Sequence, residues 1–508
     1  MQKGCLLLHE IMPVRPAIYP NVVELRYLND GEPPDFRGGN MSADELIGMS
    51  LAGLSEAYAS RALSPVEVLH AVIDHSSAVN GAINALFCFR PEQAVEGARQ
   101  SEARWKTKAA LGPLDGVPMT VKDSVAMVGW PYLHGIGANR ALPPSNYDSP
   151  PAIALREAGA VIFAKTTMPD CGLMASGISS LHGITRNPWG LAWNTGGSSA
   201  GAGASVAAGA GFVSVGTDIA GSVRLPASHC GLASLKPTHG RVPHLPADTM
   251  RMAGPMGRSV DDIARLLTVL TRQDERDTWS LPADGVQYHE RLGRDVKGLK
   301  IGILTDMGFG AKPETAVRDA VEAAGKLLAG AGAIVEPFIS PLDDDAIAPI
   351  DLFLQVRGYL EYSALPAHTD GAGDINPYVR DWCLGGARHS GADLYRALGQ
   401  IGKMKAALLA AFEGWDYVLA PTLPVVNFPA EEPGVSRERP LEHSLFTAMF
   451  NQTCQPASTV CMAFDRRHLP IGVQVIGHRF DDLGVLQVTK ALEDLRSVTM
   501  DWPFQPRA

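Results

Sequence analysis

The strongest constraint on the fold is an alternation in the first half of the chain. Val117–Val121, Ala160–Ala164 and Phe212–Val215 are short, mostly apolar runs bounded by glycine or a charged residue. Runs of this length fit buried strands and are too short for helices. Between them lie a helical stretch at 149–158 and the alanine-rich Ala200–Ala210, which reads as a helix packed close to its neighbours. The rhythm argues for an α/β architecture with a mostly parallel or mixed sheet flanked by helices.

The same signals extend outward. Ser42–Glu45 and Ser64–Glu67 are capping boxes, the second with proline at the first helical position. They predict helices over 43–60 and 65–79, the latter closed by Asn80-Gly81, and a third follows at 91–107. Residues 260–272 read as helix and 273–296 as polar loop. Gly298–Leu304, 313–329 and Ala333–Phe338 resemble one βαβ unit. Helices near 350–364 and 393–413, an apolar run at Tyr417–Ala420, a helix at 445–454, a strand at Ile471–Ile476 and a helix at Asp482–Arg496 complete the reading. Residues 1–40 hold several prolines and read as an irregular arm, or as a stretch upstream of a true start at Met41.

Composition narrows the function classes. With 508 residues, 46% apolar and 19% charged, the chain reads as a soluble globular protein. A net charge of −10 without a basic run argues against nucleic-acid binding. Seven scattered cysteines with no Cys-x-x-Cys fit free thiols in a reducing compartment, hence a cytoplasmic location. The N-terminal apolar run stops after three leucines, short of the ~7–15 residues of a secretory signal. No run reaches the ~18 residues of a membrane span. The fourteen histidines show no His-Glu-x-x-His, and His229, His239 and His244 lack a carboxylate or cysteine to complete a metal set.

The chemistry concentrates in three segments: Gly116–Ser124 with Lys122, Gly196–Gly201 with Ser198 and Ser199, and Gly216–Arg224 with Ser222. A serine hydroxyl needs a base to become a nucleophile, and these segments offer a lysine and no histidine. At its ordinary pKa of ~10.4, only about one lysine in 2,500 is neutral at pH 7, so a base role requires burial or cationic surroundings. The plainer reading of Lys122 is a buried salt bridge with Asp123, and Arg224 could pair structurally with Asp218 or Asp123. Gly197-Ser-Ser199-Ala-Gly201 also matches the G-x-S-x-G nucleophile elbow, but that elbow needs a strand immediately before it, and Asn187–Gly197 reads as loop. A phosphate-binding loop is disfavoured because Gly-x-x-x-x-Gly-Lys-Ser/Thr is absent.

At these residues the chain resembles the amidase signature family. The match runs in order through Gly116–Asp123, Gly183–Trp189, Gly196–Ser199, Gly216–Asp218, Gly221–Ala227, Cys230–Thr238, Gly240–Pro243, Gly254–Ser259, Asn451–Ala457 and Leu469–Gly477. The resemblance implies a large mixed sheet flanked by helices in a domain spanning 41–508, its signature core at about 110–260 and a more variable part at about 273–445. It implies Ser222 as nucleophile, Ser198 (in a cis peptide with Gly197) as proton relay and neutral Lys122 as base. Backbone N–H groups of Ile219, Ala220, Gly221 and Ser222 would form the oxyanion hole, with Gly197, Ser199, Thr217, Asp218 and Arg224 in support. Asp123 is then expected to face away from the amine and bond loop backbone. Ala220 and Ala200 stand where the family usually has glycine, and Thr195 where it often has proline.

The implied reaction is hydrolysis of a small amide through an acyl-serine, with no cofactor and no metal. Carbamate or ester hydrolysis on the same triad, and the amidase component of a tRNA-dependent amidotransferase, are the alternatives. A homodimer is left open. Candidate pocket residues are Trp130, Tyr132, His134, Asp170, Cys171, Met174, Phe446, Met449 and Phe450, with core packing as their competing role.

Overall fold

The computed structural model describes residues 41–507 apart from 344–345, 367–370 and 372; the irregular arm expected at 1–40 lies outside them. Thirteen strands occur among these residues: β1 (Leu86–Phe87), β2 (Pro118–Lys122), β3 (Val161–Thr166), β4 (Ile178–Ser179), β5 (Gly183–Ile184), β6 (Val213–Asp218), β7 (Ala233–Lys236), β8 (Met252–Gly257), β9 (Lys300–Ile303), β10 (Ile334–Pro337), β11 (Tyr417–Pro421), β12 (Ala457–Phe464) and β13 (Pro470–Gly477). Eleven form one sheet in the order β1-β3-β2-β6-β8-β7-β12-β13-β11-β9-β10, and β4 pairs with β5 alone. β2 is parallel to β3 and β6, and β9 is parallel to β10 and β11; the other pairs are antiparallel. The mixed sheet flanked by helices is the architecture expected.

β2 and β6 position the chemistry. Every residue of both is buried, as a strand covered on two faces requires. Being parallel, with Val121 opposite Val215, they end on the same edge of the sheet, β2 at Lys122 and β6 at Asp218. The carboxyl ends of parallel strands are where α/β proteins place their sites. Across these strands packs the helix Ala200–Ala207, whose eight residues are all buried. Its small side chains permit close approach: a Cβ on Gly201 would stand 2.3 Å from the Ala85 carbonyl and 2.5 Å from the Thr167 nitrogen.

The structure departs from the expected elements where local signals were overridden. The helix expected over 43–60 is two, Ala43–Gly48 and Leu51–Ala59, because Ser50 turns out of helix and caps Gly53 N–H at 3.1 Å. Asn80-Gly81 does not close the next helix, which runs Pro65–Ile83. The Asn80 side chain instead bonds forward to Ala85 and Leu86, and Asn84 takes the left-handed cap. Strands β7, β8 and β12, and the helices Arg224–Cys230 and Pro377–Gly385, were not anticipated. β8 carries Gly254, Pro255 and Gly257, residues that argue against an interior strand, yet it is paired on both sides. Of the helix expected over 445–454 only Ala448–Gln452 is helical, preceded by a short 3₁₀ turn at Glu442–Ser444. Among the described residues no helix is long and apolar enough to cross a membrane.

Candidate active site

Lys122, the last residue of β2, is fully buried. Its Nζ donates to Ser198 Oγ at 2.8 Å and to Thr217 Oγ1 at 3.1 Å, and Thr217 Oγ1 lies 3.2 Å from Ser124 Oγ. Both partners are neutral hydroxyls. Burial pushes the Lys122 pKa down to about 7; Asp218 and Asp123 act in the opposite direction and Arg251 reinforces the drop. The salt bridge with Asp123 does not form. Asp123 turns its oxygens to the N–H groups of Leu133 and Gly135, both at 2.9 Å.

Ser198 follows Gly197 through a cis peptide bond. Ser199 is fully buried; its hydroxyl donates to the Thr217 carbonyl and accepts from the Thr217 N–H, each at 3.3 Å. Residues 194–199 contain no strand, so the context of a nucleophile elbow is missing, and Ser199 serves as a clasp between its loop and β6.

The Ser222 loop hangs from Asp218. Asp218 accepts from Gly221 N–H at 2.7 Å and Val223 N–H at 3.1 Å, from Arg224 at 3.0 and 3.1 Å, and from Asn451 at 2.9 Å. Burial alone would raise its pKa, but Arg224 and Asn451 outweigh it and hold the carboxylate far below its ordinary range. Arg224 is itself fully buried and reaches Thr447 O, Asn451 Oδ1 and Gln474 Oε1. Of the N–H groups expected in the oxyanion set, that of Gly221 is thus bonded to Asp218. The N–H groups of Ile219, Ala220 and Ser222 donate to no described residue. Ala220 sits at a backbone angle that alanine accepts, since it is absent from the left-handed residues, and its carbonyl accepts from Thr447 Oγ1 at 2.6 Å.

Ser198 and Ser222 share one cleft, also lined by Ser124, His134, Met168, Cys171, Gly172, Leu173, Thr217, Ile219, Arg251 and Arg357. Of the expected pocket residues, His134 and Cys171 are in this wall and the others are not. Phe446, Met449 and Phe450 belong to the large apolar core, and Met174 to a smaller cluster with Ile375, Val379 and Cys383. Trp130 lies under the Arg90 guanidinium at 5.2 Å. Tyr132 packs edge-on against His134 at 4.5 Å, one layer behind the wall. Asp170 accepts from Ser180 and Asn376 N–H groups. Arg251, Arg357, Met168 and Leu173 carried no motif signal. Among the described residues no group of His, Cys, Asp or Glu is arranged to hold a metal, and the six described cysteines are free thiols.

Fold and cleft together define an α/β enzyme with serine hydroxyls and a buried lysine at the carboxyl ends of parallel strands. The chain belongs to the Amidase family, whose model matches residues 67–486, and is a hydrolase acting on C–N bonds. It is 31% identical over 472 residues to an acylamidase of Rhodococcus erythropolis, covering 90% of this chain and 97% of that protein. It is also 31% identical over 465 residues to a glutamyl-tRNA(Gln) amidotransferase subunit of Heliobacterium modesticaldum, covering 85% and 93%. Among solved structures it resembles a bacterial aryl acylamidase of the amidase signature family, with a TM-score of 0.83, 26% identity, and 91% of this chain and 99% of that one covered.

Proposed function

We propose that this chain hydrolyses a small amide through an acyl-Ser222 intermediate, with Ser198 as relay and Lys122 as base. The observation that carries the reading is the 2.8 Å contact between Lys122 Nζ and Ser198 Oγ, made by a lysine so buried that its ammonium form is disfavoured. With the amine neutral, Lys122 takes the Ser198 proton as Ser198 takes that of Ser222. Ser222 Oγ attacks the amide carbonyl, and the oxyanion is received by the N–H groups of Ile219, Ala220 and Ser222. The proton returns through Ser198 to the departing amine, and water releases the acid by the same relay.

The acylamidase relative supports an acyl amide, and esters or carbamates are open to the same acyl chemistry. The amidotransferase relatives support a second reading, in which the chain works only beside partner chains. The test is a panel of amides, anilides, esters and carbamates given to the purified chain alone. Turnover of an amide supports the first reading. Turnover of none, restored by amidotransferase partners, replaces it with the second.

A further inference from the structure

We propose that the substrate carries a carboxylate and that Arg251 receives it. The inference rests on the amide-hydrolase reading, since it assigns a subsite in the same cleft. Two arginines line that cleft with Ser198 and Ser222, and they differ in what they already bind. Arg357 is matched, its Nη1 bonded to Asp248 and its Nε to Glu361 at 3.4 Å. Arg251 makes no ion pair with any described residue. Its Nη2 donates to the Pro246 carbonyl at 3.0 Å, and its Nε is buried with no hydrogen-bond partner.

Asp248 does not fill the gap. One of its oxygens accepts the Met250 and Arg251 backbone N–H groups, and the other is held by Arg357. The backbone bonds fix the Arg251 main chain and the Pro246 carbonyl holds Nη2, so the guanidinium is placed before a ligand arrives. His134, which also lines the cleft, has its Nε2 buried without a partner. Burial holds the His134 pKa down to about 3, so the ring is neutral and adds no charge to the cleft. A guanidinium with no ion-pair partner and a free Nε, in one cleft with an unbonded ring nitrogen, suits a carboxylate. Met168, Cys171, Leu173 and Ile219 supply the apolar part of the wall, which suits an apolar body between carboxylate and amide. Arg251 has a second effect: an uncompensated carboxylate in this cleft would stabilise the ammonium of Lys122, and the guanidinium cancels that field.

Binding is measured by calorimetry with Ser222→Ala protein and three anilides. They are pentanoic anilide, glutaric acid monoanilide with the carboxylate on the acyl side, and N-pentanoyl-4-aminobenzoate with it on the amine side. At least one carboxylate probe should bind about tenfold or more tighter than the neutral one, and adding Arg251→Met should remove about tenfold of that preference. If the Met variant does not fold, Arg251→Lys, which keeps the charge and loses the fork, is read instead and should lose part of the preference. Equal binding of all three probes overturns the proposal, as does a preference that survives the substitution. Absence of turnover by wild-type protein on every probe counts against the hydrolase reading, while the ratio of Kd values still decides the subsite.

Discussion

Lys122 is held by hydroxyls alone, and its burial among them sets its protonation. Its folded pKa lies at about 7, against about 10.4 in an unfolded chain. Activity should therefore rise from pH 5 and level off above about 7, falling about tenfold per unit on the acid side if one proton must leave. Single-turnover acylation across pH checks this; a flat profile from pH 5 to 9 removes Lys122 as base. The sign for stability follows from the same shift. The penalty for burying the amine is full below about pH 7, where the unfolded lysine is charged, and fades as pH rises toward ~10.4. Wild-type protein should gain stability relative to Lys122→Met across that window in denaturant titrations. Ser222→Ala and Lys122→Ala should each abolish turnover in a folded protein, with Ser198→Ala losing somewhat less, because members of one relay are non-additive. If Ser199→Ala is dead while Ser222→Ala works, the roles are misassigned. These residues were legible because each sits in a compact motif. Arg251 and Arg357 were not: they reach the cleft from separate segments, and an arginine in a loop or on a helix carries no local sign of what it faces.

At the scale of the element, the working part is the turn between β6 and the helix Arg224–Cys230. Gly221 has φ +127°, and a Cβ there would stand 2.4 Å from Thr447 Oγ1. Gly221→Ala should cost about 1–3 kcal/mol in stability and displace the neighbouring N–H donors, lowering kcat by ~10²-fold or more. Ala220→Gly is the contrast. Its backbone needs no glycine, so the change should cost at most about 1 kcal/mol and leave the turn in place. Thermal melts and kcat on one anilide separate the two cases. Elements with intact local chemistry, such as the capped helix Pro65–Ile83 and the apolar β2, could be read from their own residues. β8 was hidden because Met252–Gly257 is strand only by virtue of its neighbours: β6 and β7 impose extended backbone on a stretch whose glycines and proline would not choose it.

Across the whole molecule, the sheet joins the motif-rich half to the C-terminal half through β7 and β12, and Arg224 crosses the same seam. Asn451 and Gln474, which hold its guanidinium, lie 227 and 250 residues further along. The Ser222 loop is thus completed by side chains remote in sequence, and the C-terminal segments are part of the site's frame. Asn451→Ala leaves Asp218 and Arg224 each short of a partner in a dry interior, which should cost about 1–3 kcal/mol. Loosening of the turn should lower kcat about tenfold with little change in KM, since the substituted side chain touches neither the cleft nor the relay. Ile334→Thr on the edge strand β10 is the matched control: Ile334 is 47% exposed, and its substitution should stay within about 0.5 kcal/mol and leave kcat unchanged. Loss of stability without loss of kcat in Asn451→Ala would show that Asp218 and Arg224 hold the turn by themselves. An equal effect from Ile334→Thr would show that the sheet transmits any disturbance, and that the Arg224 contacts are not special.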